Sequence, residues 1–93
     1  MKKGTIYKNL WAGYESYFVY IEDNYFTKGI ADVIWIGNID GKWKIDTNAQ
    51  YIKREIEKDS EHYPIVGKLN PEEIDSMIIN LILSKVSLRG QNN

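Results

Sequence analysis

Ninety-three residues, 43% of them hydrophobic and 27% charged, fit one globular domain spanning residues 1–93. A net charge of −1, with acids and bases mixed along the chain, argues against non-specific nucleic-acid binding, which usually needs a basic face. The absence of cysteine excludes disulfide frameworks, thiol catalysis and cysteine-ligated zinc.

Met1-Lys2-Lys3 opens like a signal peptide, but no apolar stretch follows it. No apolar run approaches the length of a membrane span, and residues 77–83 are too few and interrupted by Asn80. The expectation is a cytoplasmic protein with no membrane partner. Seven tyrosines, three tryptophans and two phenylalanines are the compositional excess. Tyrosine is enriched at interfaces and is also common in small β-rich cores.

Residues 5–11 form a first predicted strand, closed by Gly13. Residues 16–22 form a stronger one, with Tyr17, Val19 and Ile21 on one face and Phe18, Tyr20 and Glu22 on the other. Glu22-Asp23-Asn24 reads as a turn, followed by Tyr25 and Phe26 in a loop or edge segment before Gly29. Residues 30–38 are the most buried-looking strand, because Val33-Ile34-Trp35-Ile36 is apolar on both faces. Asn38-Ile39-Asp40-Gly41 turns the chain, and residues 42–46 return antiparallel.

Residues 48–59 read as a helix with a narrow stripe of Ala49, Ile52 and Ile56. Residues 62–69 are a linker in which Tyr63-Pro64-Ile65-Val66 can form a short edge strand. Residues 71–88 are the best-marked helix. Asn70 stands at the cap, Pro71 at the first position, and Glu73 completes a capping box flanked by Leu69 and Ile74. Lys85 and Arg89 suit the far end of the dipole, Gly90 offers a left-handed stop, and residues 91–93 are expected to fray. The whole is an α+β domain: an antiparallel sheet of about four strands in β-β-β-β-α-α order, with two C-terminal helices packed on one face.

Two hairpin registers compete. A two-residue type I′ turn at Asp40-Gly41 pairs Ile39 with Lys42 and sets Ile36, Trp43 and Ile45 on one face. A three-residue turn with a Gly41 bulge pairs Asn38 with Lys42 and gathers Val33, Trp35, Trp43 and Ile45 into one core face. The bulge gives the cleaner core and is the expected arrangement. With the helices over Trp35 and Trp43, the opposite face would present Phe18, Tyr20, Ile34, Ile36, Lys42 and Lys44. Such a patch in water calls for a partner, with Tyr20 as its anchor.

The single histidine, His62, lies beside Asp59 and Glu61, a pairing that can carry protons or bind metal. With no second histidine and no cysteine, it reads better as a solvated corner. No nucleophile elbow, phosphate loop or calcium loop occurs. The last helix is more telling. At about 100° per residue its apolar side chains sweep an arc of roughly 240°, beyond what one docked face needs. Between Asp75 and Lys85 there is no charge, and Ser76, Ile79, Asn80, Leu83 and Ser84 form an uncharged face suited to a homodimer or a foreign partner.

The leading function is therefore a small stoichiometric protein-binding module, an inhibitor or adaptor of a larger intracellular machine. Phage and mobile-element proteins that block host-defence nucleases offer an analogy. A nucleic-acid-associated regulator is second and a small enzyme third. Neither cofactor nor metal is expected.

Overall fold

The computed structural model describes residues 1–91 of the chain, with side chains described as far as residue 84. Four strands run in sequence as an antiparallel meander: β1 (Thr5–Lys8), β2 (Ser16–Asp23), β3 (Ile30–Ile39) and β4 (Lys42–Ile52). A short helix, α1 (Lys53–Lys58), leads to β5 (Ile65–Lys68), which pairs antiparallel with β1. The long helix α2 (Pro71–Gln91) closes the chain. The sheet order is β4-β3-β2-β1-β5, which makes β4 and β5 the edges. This is the expected mixed α+β arrangement of antiparallel sheet and C-terminal helix, with five strands in place of four. The edge segment around Ile65 and Val66 supplies the fifth.

Register decides the faces. Ile39 stands opposite Lys42, so the turn is the two-residue form, with Asp40 at φ 54° and Gly41 at φ 80°. The bulge expected at Gly41 does not form. Asp tolerates the left-handed region and Gly41 reaches it without strain, so the I′ turn matches the twist of the flanking strands. The bulge falls instead between Val33 and Trp35, where Thr47 and Asn48 together oppose Ile34. Asp46 Oδ1 accepts the Asn48 N–H there at 2.8 Å. Beyond it, Ala49 pairs with Val33 and Tyr51 with Ala31. The strand thus runs on to Ile52, and the helix expected over residues 48–59 is reduced to the six residues of α1.

One face carries Tyr7, Phe18, Tyr20, Ala31 and Val33, with Ile56 of α1 packed into the same cluster. Phe18 stacks between Tyr7 at 5.1 Å and Tyr51 at 4.2 Å. The other face carries Ile6, Val19 and Ile34, which are directly opposed across β1, β2 and β3. On that side sits α2, its Ile74 fully buried and its Ile78 sharing a cleft with Ile21 and Ile34. The two helices therefore lie on opposite faces, not on one. Six residues with a single buried side chain cannot span the sheet, so α1 plugs one corner while α2 crosses the other side and leaves Trp43 and Ile45 about half exposed.

The start of α2 keeps the expected Asn70 cap, with Asn70 Oδ1 accepting the Glu72 N–H at 3.1 Å, but not the capping box: the Glu73 N–H donates to the Asn70 carbonyl at 2.9 Å. Lys3 pairs with Asp75 at 3.0 Å. The helix runs past Gly90 to Gln91, since glycine permits a left-handed stop without compelling one. The side chains of Lys85, Ser87 and Arg89, and the fraying expected at Asn92 and Asn93, lie outside the described residues.

Candidate functional site

The loop between β2 and β3 is held by one side chain. Asn24 Oδ1 accepts the N–H groups of Phe26 at 3.0 Å and Thr27 at 2.7 Å. Its Nδ2 donates to Asp32 at 3.0 Å, and its backbone N–H donates to the Ile30 carbonyl at 2.8 Å. Gly29, at φ 84°, turns the chain back, and its carbonyl accepts the Lys53 N–H. On this braced frame Tyr25 and Phe26 stand 91% and 90% exposed, their rings edge to face at 5.1 Å. Large aromatic side chains in water are the usual anchors of a protein contact.

Beside this loop lies a cleft of about 880 Å³ whose lining includes Lys28, Lys53, Arg54, Glu57 and Lys58. Asp23 closes its rim. It accepts the Tyr20 O–H at 2.6 Å and pairs with Lys53 at 3.0 Å. The Tyr20 hydrogen bond, with the Lys53 ammonium beside it, holds the Asp23 carboxyl below the usual carboxylate range. Burial, reinforced by that same carboxylate, pushes the Tyr20 phenol up to about 12. With Asp23 and Lys53 paired to each other, Lys28, Arg54 and Lys58 still outnumber Glu57 on the cleft wall.

His62 takes part in a three-membered contact at the β1–β2 loop, the other end of β2 from the Tyr25 loop. Asp59 accepts the Trp11 indole N–H at 3.0 Å and pairs with His62 Nδ1 at 2.8 Å, while the Trp11 ring stacks on the imidazole at 4.1 Å. The His62 hydrogen bond, then that from Trp11, holds the Asp59 carboxyl below its ordinary value. The backbone repeats the connection, with the Leu10 N–H donating to the His62 carbonyl at 2.9 Å. The arrangement fastens the β1–β2 loop to the α1–β5 connection. Among the described residues no three His, Asp or Glu side chains converge as metal ligands.

The surface expected from the sequence is not one surface. Phe18 pairs with Trp35 and so shares its face, together with Tyr20, Lys42 and Lys44. Ile34 and Ile36 lie on the other side. Phe18, Tyr20 and Ile34 are buried at 0%, 7% and 3% exposure, Ile36 is half-buried, and only the two lysines are exposed. Two registers are the physical reason: the hairpin shift reverses residues 42–46 of β4, and β2 places Phe18 beside Trp35. Ser76, Ile79, Asn80, Leu83 and Ser84 are all exposed on α2.

The same shift exposes Trp43 and Ile45, which now face α2. Between that strand and the helix runs a groove of about 370 Å³ lined by Ile45, Thr47, Ile78, Leu81 and Ile82. Trp11 and the Tyr25–Phe26 pair were not singled out from the sequence as surface residues. The usable signal was two adjacent aromatics between an Asn and a Gly, a turn frame with no core-facing period. No helix among the described residues is long and apolar enough to cross a membrane.

Comparison of the chain with protein-family models, curated proteins and solved structures finds no match in any of the three. The functional reading rests on the chain's own geometry.

Proposed function

We propose that this chain is a stoichiometric protein-binding module, an inhibitor or adaptor that inserts Tyr25 and Phe26 into a pocket of a larger partner. The observation that carries the reading is the near-complete exposure of two adjacent aromatics on a loop fixed by Asn24. A loop already ordered in the free chain loses little conformational entropy on docking, so its rings add affinity at low cost. The cationic side chains of the neighbouring cleft favour an acidic rim on the partner and speed encounter. No assembled set of nucleophile, base and oxyanion donors competes with this reading among the described residues.

The test is affinity capture from the source cell with the wild-type chain and with a Tyr25→Ala/Phe26→Ala double variant. A single partner held at fixed stoichiometry by the wild type, and weakened by on the order of 2 kcal/mol or more per anchor in the variant, supports the reading. Equal retention by both overturns it.

The second reading, a nucleic-acid-associated regulator, draws on Lys28, Lys53, Arg54 and Lys58 beside the same aromatics. Fluorescence anisotropy with labelled single-stranded DNA and RNA separates the two. Binding that falls steeply with salt, and is lost with Arg54→Ala, favours the regulator.

A further inference from the structure

We propose that two copies of this chain join edge to edge through β4, antiparallel about a two-fold axis at Ile45. The interface is separate from the Tyr25–Phe26 loop and independent of its role. β4 is an eleven-residue edge strand whose outer backbone groups have no neighbour in the sheet order. Its residues 42–48 are all exposed.

The side-chain sequence Trp43-Lys44-Ile45-Asp46-Thr47 is what selects a second copy as occupant. A two-fold axis perpendicular to the sheet sets residues opposite one another only when each pair shares a face, so the axis must fall on a residue. Centred on Ile45, Lys44 meets Asp46 of the second copy and Asp46 meets its Lys44. On the other face Ile45 meets its own counterpart and Trp43 meets Thr47. Moving the centre to Lys44 sets two lysines against each other, and moving it to Asp46 sets two aspartates together. Neither Lys44 nor Asp46 has an ion-pair partner within the chain among the described residues. A lysine on an edge ordinarily discourages strand addition. In this register Lys44 is answered by Asp46 in both copies, and Lys42 meets the neutral Asn48.

The helix supports the same axis. α2 is anchored near β1, where Ile74 approaches Gly4, and passes over Ile45 and Thr47 of β4 at Ile78, Leu81 and Ile82. Because the axis is perpendicular to the sheet, both copies of α2 lie on one side of the joined sheet, antiparallel and astride the paired Ile45 side chains. Trp43 at 55%, Ile45 at 51% and Ile82 at 57% exposure form a large apolar patch in a single chain, and the second copy covers it.

Sedimentation equilibrium of the full chain tests the assembly. The expected mass is twice 10.9 kDa, with Lys44→Glu and Asp46→Lys each weakening the dimer at least tenfold. Mixing those two variants restores a heterodimer, because both cross-strand pairs are again of opposite sign. Asp46 also braces the Asn48 amide, so Ile45→Asp, at a half-exposed position, serves if Asp46→Lys fails to fold. It is expected to give a folded monomer. The chain has no cysteine of its own, so Ile45→Cys should cross-link on mild oxidation while Trp43→Cys does not. A wild type that stays monomeric at millimolar concentration, or single variants that dimerise as well as it does, overturns the proposal. Equal cross-linking at 43 and 45 overturns the register.

Discussion

The indole of Trp35 fills the space where a side chain on Gly37 would stand. A Cβ at residue 37 would lie 2.5 Å from Trp35 Cζ2 and 3.0 Å from Tyr14 Cε2. Trp35 cannot easily yield, because its Nε1 donates to the fully buried Ser16 hydroxyl at 2.9 Å and Tyr14 meets its ring edge on. Gly37→Ala should therefore cost about 1–3 kcal/mol through overpacking and loss of the Ser16 bond. Thermal unfolding reads the loss, and tryptophan emission should shift to the red as the indole is displaced.

That contact also shows why the sheet faces were hard to read from the sequence. Residues 38–42 satisfy both turn types, and the gathering of Val33, Trp35, Trp43 and Ile45 into one core favours the bulge. The chain instead folds Trp35 inward over Gly37 and leaves Trp43 and Ile45 half in water. Bulk apolarity does not mark the interior when an edge strand has a surface of its own. Residues 49–56 are ambiguous for a different reason. Ala49, Ile52 and Ile56 fit a helical period, Ala49 and Tyr51 a strand period, and the Asp46-braced bulge that favours the strand has no signature over so short a span. Pairing of β5 with β1 is a long-range contact that no local residue encodes. The start of α2 was legible because Asn70 and Pro71 act locally, whereas the uncharged stretch after Asp75 fits a helix wrapped by the fold as well as one left exposed.

Asn24 is expected to be the structural key to the Tyr25–Phe26 loop. Asn24→Ala removes the acceptor for two backbone N–H groups and the donor to Asp32. A loss of about 1–2 kcal/mol in stability is expected. Amide hydrogen exchange should quicken at Phe26 and Thr27 by more than at residues of the sheet. Unchanged exchange at these two amides would show that the loop is braced by something other than Asn24.

Tyr20 should make the fold sensitive to alkali. Its phenol is raised from 10.0 to about 12, chiefly by burial and then by the bond to Asp23. A group whose folded value lies above its unfolded one contributes its stability in full below the unfolded value, and loses it as pH rises through the folded value. The contribution of Tyr20 is thus complete below pH 10 and disappears between about 10 and 12. Tyr20→Phe keeps the ring and deletes the hydroxyl. Denaturant unfolding should find the variant less stable at pH 7, with the gap to wild type closing above pH 10. A gap that stays constant across that range would contradict this assignment.

Asp59 should make the joint between the β1–β2 loop and the α1–β5 connection sensitive to acid. Its carboxyl is lowered from the ordinary value of 3.8, first by the His62 hydrogen bond and then by the Trp11 indole. A carboxyl depressed in the folded state contributes stability above the unfolded value and loses it as pH falls through the folded one. The loss therefore begins near pH 4 and continues below 3.8. In Asp59→Asn the side chain keeps its size but has no charge to lose, so its melting temperature should fall less steeply with acid than that of the wild type. The two curves should approach each other at the lowest pH. Trp11 reports the same event locally, since its indole leaves both the carboxylate and the imidazole face when the joint opens. The emission change that accompanies acidification should be absent from Trp11→Phe, although Trp35 and Trp43 remain. If that variant shows the full emission change, the acid response belongs elsewhere in the sheet and the Trp11–Asp59–His62 contact is not its source.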